Sequence, residues 1–223
     1  LMNQLSPAAL VRLIHEFGIL NRDIHPSLAL CLGPCDISVA EMVGAYTAFA
    51  RKGVRRYPLY VTRIEDSNGD VVAEFTPRVR EVISEDAACK MVTLMRGVID
   101  SGTGHRMRAR YHLTVPMAGK TGTTNDNSDG WFVGYTPSLS FGGWVGGEER
   151  DIHFASMAIG QGANAALPIS AYFLMKVFAD KSLGYSQEED FDIPEGFDPC
   201  GQTDESETEE EIAVEPVLDN LAN

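Results

Sequence analysis

No run of 18 or more apolar residues occurs in these 223 positions, so nothing read from the sequence forms a bilayer-spanning helix. A charged opening followed by a short apolar core is also missing, which excludes a signal peptide here. The chain begins at Leu1, not at methionine, and the expectation is a piece of something longer, with any export signal or anchor upstream. Cys-x-x-Cys pairs are absent too. Cys31, Cys35, Cys89 and Cys200 have no histidine set beside them, and the five scattered histidines lack ligand spacing, so no metal and no other cofactor is expected. Cys31 and Cys35 lie near enough to bridge in an oxidising compartment, although small unpaired thiols are the simpler reading.

Lys and Arg disappear after residue 185, where 14 Asp and Glu crowd the remaining 38 positions. The formal charge of −14 therefore belongs to the end of the chain, because residues 1–185 balance 18 acidic groups against 18 basic ones. A neutral body has no patch to displace counterions from phosphates, which excludes a nucleic-acid partner. Acidic, Pro, Gly, Ser and Thr residues dominate 185–223, which reads as a disordered tail behind a folded portion spanning 1–184. With 44% hydrophobic residues, that portion suffices for one core.

Ser6-Pro7 opens a helix bearing Leu10, Ile14 and Phe17 and closed by Gly18. Ser38 and Glu41 form a capping box ahead of Met42, Tyr46 and Phe49, and Gly53 stops that helix. Asn68-Gly69 between apolar stretches predicts a hairpin with a type I′ turn. Ser84 caps a third helix that Gly102-Thr103-Gly104 ends. The period then becomes strand-like, predicting strands near 115–124, 130–136 and 140–146, another at 154–159, and a helix from Pro168 through Phe178 over one face of the sheet.

Chemistry concentrates in Ala118-Gly119-Lys120-Thr121-Gly122-Thr123-Thr124. A phosphate-cradling P-loop would need glycine at Thr114 and a helix after the threonine, and neither is present. On a strand, alternate residues share a side, so Thr121 and Thr123 can offer two hydroxyls to one carboxylate. Lys120 adds positive charge, and Gly122 leaves room for an extended peptide to pair with the strand. The Thr123 N–H can then meet a developing oxyanion, with Thr124 a further substrate contact. Trp131, Phe132 and Tyr135 read mainly as sheet core, and Asp126 and Asp129 as solvated turn carboxylates.

Pro26-Ser27-Leu28-Ala29-Leu30, Ala45 to Ala50, Gly102-Thr103-Gly104, Ala118 to Asn125 and Trp131 to Pro137 occur in an order and spacing that closely resemble the transpeptidase domain of class A penicillin-binding proteins. The likeness covers residues 1–184. It implies an α/β fold in which helices sandwich an antiparallel sheet, incomplete at the N-terminus, with the strand at 154–159 paired to one upstream. It implies a bifunctional cell-wall synthase on the periplasmic face of the bacterial inner membrane, anchored only by its missing N-terminus, with a glycosyltransferase domain upstream. The implied partners are peptidoglycan stem peptides and β-lactams. The implied chemistry is D,D-transpeptidation by a serine in Ser-x-x-Lys, helped by Ser-x-Asn and Lys-Thr-Gly. Only the last motif is here, since no serine in the chain has lysine three residues later or asparagine two later. The resemblance sets both missing motifs just before Leu1 and leaves the isolated fragment inactive. It gives Lys120 and Thr123 catalytic roles and Thr121, Gly122, Thr123 and Thr124 substrate-binding ones. The alternatives are a carboxypeptidase or β-lactamase-like hydrolase, and a sensor or binding module that has lost its nucleophile; the sequence upstream discriminates between them.

Overall fold

The computed structural model describes residues 4–201. These fall into two units, one ending at Ile193 and one beginning at Pro194. In the first, α1 (Pro7–Glu16) starts where Ser6 accepts from the Ala9 N–H, and it ends at Gly18, whose φ of 92° suits glycine. The second helix, α2 (Val39–Ala50), has the full capping box: Glu41 N–H donates to Ser38 Oγ, and Ser38 N–H donates to the Glu41 carboxylate. The Ser38 hydroxyl also donates to the Glu41 carboxylate, at 2.6 Å, and this bond, with those from the Leu20 and Ser38 N–H groups, holds the Glu41 carboxyl below its ordinary pKa.

Two small ribbons follow. Strand β1 (Val54–Arg56) pairs with β4 (Val79–Glu81), and β2 (Arg63–Glu65) with β3 (Val71–Glu74). The hairpin is where predicted, but its turn is not type I′. Only Gly69 takes positive φ, at 87°, while Asn68 does not. The Asp66 carboxylate accepts from the Asn68 and Asp70 N–H groups, which stabilises a longer turn, and the register slips at Ile64/Glu65.

Ser84 caps α3 (Glu85–Asp100), accepting from the Ala87 N–H, and a short α4 (Arg106–Ala109) follows the glycine turn. The main sheet comes next: β5 (Ala118–Thr123), β6 (Asp129–Tyr135) and β7 (Ser140–Gly146), antiparallel, with β6 central. All three predicted strands are present. Phe132 and Phe141 on one face join Ile99, Met107, Leu167 and Leu174 in the largest buried cluster. Tyr135 and Ala118 on the other face pack with Val92 and Met95 of α3 and with Tyr46 and Phe49 of α2. The sheet is thus covered on both sides by helices, among them α7 (Leu167–Ala179), which begins with Pro168 in its first turn as expected.

The expected strand at 154–159 does not form. Met157–Gly160 is instead a single helical turn, α5, followed by α6 (Gly162–Ala165). The Asn164 amide donates to the Met157 and Ala158 carbonyls, at 3.1 and 3.0 Å, and Phe154 N–H goes to the Asn127 carbonyl. Backbone groups that a ladder needs are engaged by these local bonds.

The body also continues past residue 184. Tyr185 packs against the larger cluster, and Phe191 and Ile193 against the one around Tyr135. The Phe191 ring stands edge-on to Tyr135 at 5.7 Å, while Asp190 pairs with Arg96 and Asp192 with Lys52. Residues 185–193 are therefore an ordered strap, not tail. In the second unit, Phe197 and Gly201 N–H groups close turns onto Pro194 and Asp198 carbonyls. The rest of the expected disorder, 202–223, lies outside the described residues. All four cysteines are free thiols, Cys31 and Cys35 included.

Candidate active site

Lys-Thr-Gly lies on β5, an edge strand with no neighbour on its outer side among the described residues. Its backbone polarity follows from one bond: Thr124 N–H donates to the Asp129 carbonyl at 3.1 Å, so Thr124 faces β6. In an antiparallel strand this alternates, so Thr121 and Thr123 turn their N–H and carbonyl groups toward the open edge. Lys120 Nζ agrees with this geometry, donating to the Thr121 carbonyl at 2.7 Å.

Side chains alternate as well. Lys120 and Gly122 share a face with Val133 and Trp131, their register partners on β6. Thr121 and Thr123 share the opposite face with Phe132 and Gly130. Lys120 and Thr123 are exposed, whereas Thr121 is 8% exposed. A Cβ on Gly122 would sit 3.0 Å from that of Trp131, so the indole crowds this face and glycine keeps the strand flat. A groove of about 610 Å³ between α2 and the β6–β7 turn includes no β5 residue, so the motif lies on an open edge and outside that groove.

Both threonine hydroxyls on the motif's second face are supported from elsewhere in the chain. Thr121 Oγ1 lies 2.7 Å from Thr103 Oγ1 in the turn after α3, and Thr123 Oγ1 accepts from the Gly162 N–H at 3.0 Å. Gly102-Thr103-Gly104 is thus more than a helix stop. The sequence reading of that turn missed its contact with the motif, and it missed Gly162 altogether; the one signal was the family-like spacing of Gly-Thr-Gly.

Thr124 stands differently. Its hydroxyl lies 2.9 Å from Ser128 Oγ and 3.0 Å from Asp129 Oδ2, and it accepts from the Asp129 N–H. Asp129 Oδ1 accepts from the Trp144 indole at 2.8 Å. Asp129 therefore ties the turn after the motif to β7; it is not a free turn carboxylate. Asp126 is exposed at a φ of 58°, as its solvated-turn reading allows. Phe132 and Tyr135 are fully buried and Trp131 partly so, as sheet core requires. Among the described residues no three His, Cys, Asp or Glu gather to hold a metal, and no helix is long and apolar enough to cross a membrane.

The profile of the family described as penicillin binding protein transpeptidase domain matches residues 20–146. This chain belongs to that family. It is 33% identical over 172 residues to penicillin-binding protein 1A of Aquifex aeolicus, covering 77% of this chain and 22% of that protein. It is 36% identical over 145 residues to penicillin-binding protein 2D of Bacillus subtilis, covering 61% and 20%. The chain thus spans about a fifth of the length of these relatives. Among solved structures, penicillin-binding protein PonA1 of Mycobacterium tuberculosis superposes with a TM-score of 0.69 at 26% identity, over 86% of this chain and 54% of that one. PonA1 has also been solved in complex with penicillin V. Penicillin-binding protein 1A of Haemophilus influenzae has the same TM-score at 20% identity, over 79% and 31%, a likeness of fold. The penicillin-binding transpeptidase fold, α/β with helices about an antiparallel sheet, is the one expected from the sequence.

Proposed function

We propose that this chain supplies the Lys-Thr-Gly wall of a peptidoglycan D,D-transpeptidase site within a bifunctional cell-wall synthase. The observation that carries the reading is the open edge of β5, with Thr121 and Thr123 backbone groups outward and Lys120 and the threonine hydroxyls on opposite faces. An extended stem peptide adds to that edge as a further strand. Its terminal carboxylate meets the Thr121 and Thr123 hydroxyls, and its scissile carbonyl oxygen meets the Thr123 N–H. Gly122 gives the clearance the peptide needs. Lys120 lowers the energy of negative charge developing as a serine Oγ attacks that carbonyl. The serine ester forms as D-Ala leaves, and the amine of a neighbouring stem then takes the acyl group and releases the serine. Thr124 acts indirectly, holding the turn through Asp129.

The serine comes from the Ser-x-x-Lys element that these residues lack. The names of the relatives support β-lactams as ligands, and their greater length supports a place in a longer protein. An upstream glycosyltransferase domain and an anchor at the periplasmic face of the membrane are what the family resemblance implies. The test is labelling with a fluorescent penicillin. A chain extended upstream through Ser-x-x-Lys and Ser-x-Asn takes up a stoichiometric covalent adduct, and residues 1–223 alone take up none. A stable adduct on residues 1–223, or no adduct on the extended chain, refutes the assignment.

A further inference from the structure

The turn between α3 and α4 is built to hold one side chain against the motif strand. A Cβ on Gly102 would lie 2.8 Å from the Val98 Cα, and one on Gly104 would lie 2.8 Å from the Ile99 Cδ1. The two glycines let the backbone fold tightly over the end of α3. Thr103 is the side chain left between them, and its hydroxyl is the one that reaches Thr121, at 2.7 Å. On the same face of β5, Gly162 lies so close that a Cβ there would run into the carbonyls of Gly122 and Trp131. Its N–H donates to Thr123 Oγ1. Arg106 donates to Asn164 Oδ1, which ties the segment carrying Thr103 to the helix carrying Gly162.

The donor inventory makes the Gly162 support directional. An amide N–H only donates, so Thr123, accepting from Gly162, keeps its own hydrogen for another partner. A hydroxyl that accepts one hydrogen bond also donates a stronger one, because the chain of bonds polarises. We infer that Thr103 is a positioning residue: its hydroxyl donates to Thr121 Oγ1, so that Thr121, like Thr123, turns its hydrogen outward to a ligand carboxylate. This rests on the proposed role of Thr121 and Thr123 as the carboxylate-binding pair. Lys120, on the opposite face of the strand, cannot orient either hydroxyl. Without Thr103 the Thr121 hydroxyl remains but rotates freely, and the anion loses one aimed donor.

The experiment compares acylation of the upstream-extended chain by a penicillin and by its methyl ester, which keeps the lactam and removes the carboxylate charge. The parent prefers the acid. Thr103→Val lowers the second-order acylation rate for the acid about tenfold, in the range of one hydrogen bond to a charged group, and leaves the ester within about twofold. Thr103→Ser, which keeps the hydroxyl, restores the acid rate. Should Thr103→Val fold poorly, Thr103→Ala removes the hydroxyl without bulk and carries the same expectation. Equal losses for acid and ester, or an unchanged acid rate, overturn the inference while leaving the transpeptidase reading intact. A parent that no penicillin acylates takes down that reading and this one with it.

Discussion

Ending the chain at Gly184 strips Phe191 and Ile193 from the side of Tyr135, and the contacts set the size of the effect. Both side chains are partly buried against Val92, Met95 and Tyr135. Full burial of such a side chain is worth roughly 1.5–3 kcal/mol, so half-burial of these two and of Tyr185, which is removed with them, contributes about 2.5 kcal/mol. The edge-on ring pair with Tyr135 adds about 0.5–1 kcal/mol. The Arg96–Asp190 and Lys52–Asp192 pairs are largely exposed and solvent-screened, so they add little. The total is about 3 kcal/mol. At roughly 2–4 °C per kcal/mol for a body of this size, a chain of residues 1–184 melts about 6–12 °C below the full chain. A chain of residues 1–193 keeps all of these contacts and melts above residues 1–184 by that amount. The assay is a thermal melt of all three lengths followed by circular dichroism. Residues 1–184 melting with the full chain would refute the strap and restore the boundary suggested by composition.

Lys120→Ala in the upstream-extended chain slows acylation by penicillin roughly 100-fold, the usual loss when a charge-stabilising donor is removed, and leaves the melting midpoint nearly unchanged because Lys120 is exposed. Acylation within twofold of the parent would make Lys120 structural. Burial pushes the Tyr46 phenol up to about 12, and burial beside Tyr46 pushes Tyr135 further up. Both stay protonated in the fold while an unfolded tyrosine ionises near pH 10, so their contribution to stability is complete below about pH 10 and declines as pH rises above it. Absorbance at 295 nm, compared with Tyr46→Phe and Tyr135→Phe variants, should show these two phenols resisting titration until the fold is lost. Either of them titrating near pH 10 in the folded protein would contradict this packing.

Local signals carried furthest in the sequence. Ser38 and Glu41 lie three apart and satisfy each other within one helical turn, so the capping box could be read without knowing the rest of the fold. The Lys-Thr-Gly strand was equally local, since alternation decides which side chains share a face. The type I′ turn failed because one short side chain, Asp66, offered two N–H groups a better arrangement. The tail boundary at 184 failed for a related reason. In Asp190-Phe191-Asp192-Ile193 the apolar residues alternate with acids, so averaged composition looks solvated while one side of the segment packs. The supports of the motif were harder to see, because Thr103 and Gly162 lie 18 and 39 residues from their partners. Side-chain spacing cannot bring such residues together. Packing does so here, with Ile99 and Leu167 buried in one cluster with Phe132 of the motif's own sheet. What the sequence does record is clearance, in Gly102, Gly104, Gly122 and Gly162, each at a point where a Cβ would meet a neighbour. These glycines and the hydroxyls they admit belong to one arrangement, so filling the clearance at Gly162 should disturb Thr123 even though no side chain of the motif itself is changed.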